Sequence, residues 1–414
     1  MTGPESSSRR RRTTETPQQQ APESPSGLLS RYTIQRWRHG ELGALPVVLG
    51  LILIAAFFAS QEPTFLSARN ISNLIVQIAA TGSVAVGIVM VLLLGEIDLS
   101  VGSVTGLCSA LLGVLIVNHG WPWWLAILAA MATGVLIGAF QGAWFAFIGV
   151  PSFVVTLAGF LAWQGVQLRV LGSTGTVNVF EPHIGKIAQS FLPEPWGWAV
   201  GLGAAGVSVL AFWGTWVGRR RTGLLAVPMF VVLTRSLLVV AIAAATVQIL
   251  GRFNGVPTAG VMLFALVALF SFLTTRTRFG RYVFAVGGSA EAARRAGIPV
   301  VGVRITVFAL AGLMASIGGI VFVSRLTAAS TQTGTGTFLL EAIAAAVIGG
   351  TSLFGGRGSV WSALLGAFVI GSVSNGLDLM AQPPEIKYMV EGAILLAAVT
   401  VDAVARRSRA AAGR

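Results

Sequence analysis

Two short stretches of this chain hold polar residues at a spacing that lets them act together. In the first, residues 95–103, reading GEIDLSVGS, Glu96 and Asp98 stand beside Ser100 and Ser103. Carboxylates and hydroxyls grouped in this way can contact sugar hydroxyls, relay protons or cap a helix. They break an apolar stretch that covers residues 71–94 and resumes over 101–117. A carboxylate at the middle of a lipid-facing helix costs roughly 2.5–3.5 kcal/mol, so two of them must face protein, water or a membrane surface. Two readings stay open: a polar step in a transport pathway, or a short cytoplasmic turn in which Asp98 or Ser100 caps the next helix.

A second interruption, GTSLFGGRGS at residues 350–359, follows Gly349 and brings Gly350, Gly355 and Gly356. The tripeptide G-S-V recurs after both interruptions, followed each time by S-A-L-L-G, as a duplicated chain would show. Interrupted helices in corresponding positions of two halves are where a transport pathway is built, because polar backbone is tolerated at depth only there. Gly349, Gly350, Gly355 and Gly356 therefore join Glu96, Asp98, Ser100 and Ser103 as pathway candidates.

The other stretch, residues 276–300, is an arginine-rich island between two long apolar runs and must lie in water. Ser289 can cap a short helix, Glu291 suits its N-terminal dipole, and Gly297 and Pro299 end it after about two turns. The face on offer is Ala292, Ala293 and Ala296, with Arg294 and Arg295 beside it. So short a helix is marginal in water, and is held by the membrane domain or by something that docks on it. The alternative is an ordinary cytoplasmic loop that obeys the positive-inside rule.

The elements that must position these residues follow from composition. Hydrophobic residues make up 54% of the 414 positions and charged residues 10%, and the mean hydropathy is +0.79. Soluble chains carry roughly a quarter charged residues, so this is an integral membrane protein. Apolar runs near membrane length recur along the chain, giving an all-α, polytopic fold with 10 to 12 hydrophobic segments by this count. Residues 1–40 read as a disordered basic cytoplasmic tail, 41–405 as the transmembrane domain with 276–300 as a cytoplasmic loop, and 406–414 as a second basic tail. Placing all arginine clusters, including Arg219, Arg220 and Arg221, on one side puts both termini in the cytoplasm and makes the crossings even.

Several classes drop out. The net charge of +13 sits in tails and short loops rather than on one face, which excludes nucleic acid as a partner. Cys108 is the single cysteine, so no disulfide forms within the chain, and His39, His119 and His183 make no metal constellation. No cofactor is implied. The lysines are Lys186 and Lys387, and neither stands in a G-x-x-x-x-G-K-[ST] loop, so this chain has no Walker A site for ATP.

The order Glu291, Ala292, Ala293, then Gly297, resembles the E-A-A-x-x-x-G loop of ABC importer permeases. With Phe279, Gly280, Arg281 and residues 285–288, and with G-x-x-D-L-S-x-G at 95–102, the chain resembles the monosaccharide branch of that family. FLSARNISNL, PSFVVTLAG, NGVPT and the extra hydrophobic stretch at 196–250 resemble the xylose members. The resemblance implies a permease subunit in the bacterial cytoplasmic membrane, importing a pentose, with xylose first. It implies that Glu291, Ala292, Ala293, Arg294, Arg295 and Gly297 dock on a separate ATPase subunit. It also implies a second permease chain, an extracytoplasmic sugar-binding protein and alternating access within the lipid bilayer. The rival is a proton-coupled secondary transporter with Glu96 and Asp98 as its relay. A membrane-embedded enzyme would need a His, Cys or Ser constellation at a membrane face, and the sequence offers none.

Overall fold

A computed structural model describes residues 45–223 and 227–411. The basic N-terminal stretch lies outside these. Eight described helices are long and apolar enough to cross a membrane, and three shorter apolar helices accompany them. In chain order the first eight helices are α1 (Leu45–Gln61), α2 (Ala68–Leu93), α3 (Val101–Val117), α4 (Trp123–Ile148), α5 (Ser152–Leu171), α6 (Pro182–Gln189), α7 (Glu194–Arg221) and α8 (Met229–Gly251). Then come α9 (Thr258–Arg276), α10 (Arg278–Gly288), α11 (Ala290–Arg295), α12 (Val300–Leu326), α13 (Phe338–Ile348), α14 (Trp361–Leu379) and α15 (Pro384–Ala411).

Proline sets many of these starts. Pro122, Pro151, Pro193, Pro228, Pro257 and Pro299 each occupy the position just before a helix. There the missing N–H has no partner to lose, and the ring prevents the preceding segment from joining the helix. The apolar segments read from sequence match the helices within a few residues at each end. The last helix differs: it continues to Ala411, through the start of the stretch read as a tail.

At the centre of the bundle lies α12, packed on α2, α3 and α4. Its contact with α4 is backbone to backbone. Gly134, Gly138 and Gly142 recur every fourth residue, and a Cβ at Gly142 would lie 3.0 Å from Ile305 Cα. Lipid offers no hydrophobic force between helices, so small residues that admit close van der Waals contact hold such pairs.

The two ends of the bundle differ. One carries Arg219, Arg220 and Arg221 and the short helices α10 and α11. The other carries α6 and two antiparallel ribbons, β1 (Thr176–Asn178) with β4 (Ala328–Ser330), and β2 (Phe191–Leu192) with β3 (Val256–Pro257). This end is thus a built cap, with Val177 opposite Ala329. After β4 the chain turns back into the bundle. Gln167 on α5 grips this re-entrant segment by donating to the carbonyls of Ser330 (3.0 Å) and Thr333 (3.2 Å). Helix α13 then descends to the second interruption, and α14 climbs back.

Candidate functional site

The first interruption rises alongside the start of α5, one rung at a time. Ile97 N–H donates to Ser152 Oγ (3.4 Å), and Leu99 N–H to Thr156 Oγ1 (3.1 Å). The backbone groups freed by the break in the helix thus find side-chain partners, as they must away from water.

Both carboxylates are engaged within the chain. Glu96 Oε2 accepts from the Ser152 hydroxyl (2.7 Å), and Oε1 accepts from Arg304 Nη2 (3.3 Å). The Arg304 guanidinium lies 4.5 Å over the Phe145 ring, a cation–π contact.

Asp98, 7% exposed, accepts from the Ser100 N–H (2.8 Å) and the Ser100 hydroxyl (2.7 Å) through one oxygen. That is an Asx turn leading into α3, whose own N-cap position is Ser100. Ser103 donates to the Ser100 carbonyl (2.8 Å). The Gln141 side-chain amide lies 2.8 Å from Ser100 Oγ. A hydroxyl has one hydrogen, and Asp98 takes it, so the amide satisfies Ser100 only by presenting its NH2 group. The outer amide atom of Gln141 and Trp163 Nε1 are both buried without a hydrogen-bond partner, and both lie close to Gly159.

The two interruptions meet each other and the arginine-rich stretch at a junction built of glycine. Gly356 N–H donates to the Leu93 carbonyl at the end of α2 (3.0 Å). A Cβ at Gly355 would lie 2.7 Å from Gly95 Cα and 2.8 Å from the Gly287 carbonyl oxygen. A Cβ at Gly287 would in turn strike the Leu93 carbonyl and lie 2.8 Å from Gly356 N. Gly95, Gly355 and Gly356 also have positive φ (76°, 82° and 69°), where other residues are strained. Gly349 lies apart from this junction, packed on the Ser362 backbone, and Gly350 is exposed with φ of 107°.

In the arginine-rich stretch Ser289 caps α11, accepting from Ala292 N–H (3.2 Å). Glu291 pairs with Arg295 (3.1 Å) and with Arg294 (3.8 Å) at the surface, and Gly297 turns the chain with φ of 80°. One assignment is corrected. Ala293 does not belong to the outward face: it is 4% exposed and packs into the main core, because that side of α11 is the one laid against the bundle. The outward face is Glu291, Ala292, Arg294, Arg295 and Ala296. A further amphipathic helix, α10, precedes it, burying Val283 and Val286.

Arg304, Ser152 and Thr156 were not singled out from sequence. Arg304 could have been, as a charge inside an otherwise apolar span near its start. The hydroxyls of Ser152 and Thr156 could not, since Ser and Thr also satisfy their own helix.

Residues 70–399 match the family described as branched-chain amino acid transport system / permease component. The chain is 42% identical over 365 residues to the xylose transport system permease protein XylH of Escherichia coli, covering 87% of this chain and 92% of that one. It is 38% identical over 361 residues to XylH of Haemophilus influenzae, covering 86% and 95%. It is 32% identical over 356 residues to the ribose import permease protein RbsC of Escherichia coli, covering 86% and 92%. No solved structure matches the chain.

Proposed function

The chain belongs to the family of branched-chain amino acid transport system permease components, and we propose that within it this protein is the subunit through which an ABC importer carries D-xylose into the bacterial cell. The observation that carries the sugar is the 42% identity to a xylose permease over nearly the full length of both chains, against 32% for a ribose permease. The protein is a multi-pass transporter subunit of the cytoplasmic membrane, working with an ATPase and an extracytoplasmic sugar-binding protein.

ATP hydrolysis falls to the separate ATPase, since the sequence lacks a phosphate-binding loop. The ATPase docks on the exposed side of α11, through Glu291, Ala292, Arg294 and Arg295, with Gly297 setting the turn that presents them. A second copy of the chain completes the transport path. Supporting this route, α10 ends at Gly287 against the backbones of both interrupted helices, so movement at the docking face reaches them without an intervening flexible side chain. Glu96, Asp98, Ser100 and Ser103 shape the wall of the path rather than bind sugar, as each side chain is engaged by a partner within the chain.

The test is reconstitution of the permease with its ATPase and binding protein in sealed vesicles. Xylose should accumulate only with ATP and binding protein, and should outcompete ribose. Uptake that persists without ATP and stops when a proton ionophore is added would instead establish the proton-coupled carrier.

A further inference from the structure

We propose that Arg304 is a positioning residue that ties the docking loop to the first interrupted helix, its ion pair with Glu96 acting as a strut that converts movement of α11 into movement of residues 95–100. This deepens the ATP-driven reading above and rests on it.

Placement is the first support. Helix α12 starts at Val300, directly after the Gly297 turn and Pro299. Val300 and Val303 are buried in the same core cluster as Ala293 of α11. Between the two helices Ile298 N–H donates back to the Ala293 carbonyl (3.0 Å), so the docking helix and the first turn of α12 are tied by a short bonded turn, and segments held this closely move together. Arg304 is the next residue after Val303, and its head group reaches the interruption.

Second, the pair is held from several sides. Glu96 is fixed at Oε2 by Ser152 of α5 and at Oε1 by Arg304 of α12. The guanidinium is laid on Phe145 at the end of α4. Three helices thus define one geometry for the strut, unlike a surface ion pair whose long side chains swing freely. Both side chains are about four-fifths buried, with exposures of 20% for Arg304 and 18% for Glu96.

Third, no other ion pair among the described residues joins this region. Those of α11 are internal to that helix, and Lys387 with Asp378 joins α15 to α14. The glycine junction resists compression, but its Gly356-to-Leu93 hydrogen bond joins the two interruptions to each other and gives α10 nothing to pull on. A charge pair transmits in both directions.

The experiment uses the full complex of permease, ATPase and binding protein in vesicles, and reads sugar imported per ATP hydrolysed. Arg304→Glu should lower that ratio by about 5-fold or more, the scale of one coupling free energy between sites. Glu96→Arg should do the same. The exchanged pair, Glu96→Arg with Arg304→Glu, should recover most of the ratio, which a merely structural defect would not. Arg304→Gln supplies a neutral variant should the charge reversals fail to assemble, and it should lower the ratio in the same direction. An unchanged ratio in Arg304→Gln overturns the strut, as does an exchanged pair no better than its single parents at equal assembly. Absence of ATP-driven uptake in the unaltered complex overturns the importer reading itself.

Discussion

Substituting Gly287 by alanine tests whether the glycine junction is the contact through which the docking loop bears on both interruptions. The added methyl carbon would lie 2.8 Å from Gly356 N and 2.9 Å from the Leu93 carbonyl carbon, and closer still to the Leu93 oxygen. Ordinary carbon contacts sit at about 3.5–4.0 Å, so the end of α10 must retreat by roughly 1 Å. Every near atom is backbone, so no rotamer change relieves the clash. Overpacking of this kind costs about 1–3 kcal/mol. The added methyl sits against both atoms of the 3.0 Å bond from Gly356 N–H to the Leu93 carbonyl, and loss of that bond adds about 0.5–1.5 kcal/mol. The next residue supplies the control. A Cβ at Gly288 meets nothing within 4 Å, so Gly288→Ala should leave stability within about 0.5 kcal/mol. The assay is thermal melting of the purified permease together with sugar uptake per ATP in the reconstituted complex. Gly287→Ala should lower both, and Gly288→Ala neither. If the two variants behave alike, the junction does not transmit movement.

Three further outcomes are expected. Asp98→Asn keeps an oxygen for the Ser100 N–H and should import sugar nearly normally, whereas Asp98→Ala should lose about 0.5–2 kcal/mol of stability, measured by melting; loss of uptake in both variants would show that the charge itself acts. Ala293→Trp should unfold the docking region because its site is filled, by about 1–3 kcal/mol. Ala292→Trp, on the outward face, should melt normally yet fail to retain the ATPase on co-purification, and a surviving complex would remove α11 as the docking element. An alkaline phosphatase fusion after Gly223 should be inactive and one at Gly185 active, with the opposite pattern reversing the orientation of every helix.

The spans were legible because lipid imposes a simple rule: each crossing needs a long apolar run, and each charge marks an end. Val101–Val117 was read to the residue, and the Ser289 cap with its Gly297 stop was read from a few letters whose effects are local. The docking face was only partly legible. Three alanines within one turn look equivalent in sequence, and which of them is buried depends on what the helix lies against. Helix α10 was read as loop because, although it carries Phe279, Tyr282, Val283, Phe284 and Val286, it is too short to span a membrane and its ends are arginine and glycine.

The chain alone determined that the protein lies in a membrane, where most of its spans begin and end, and which two stretches break the pattern. Those outcomes depend on residue type and on neighbours within a turn or two. Only the tertiary structure decided what the breaks are for. Leu93, Gly287 and Gly356 are far apart in the chain, and Glu96 stands over two hundred positions from Arg304. Which backbone meets which glycine, and which arginine answers a carboxylate, is fixed by packing that brings distant segments to one end of the bundle. No local propensity encodes such a meeting.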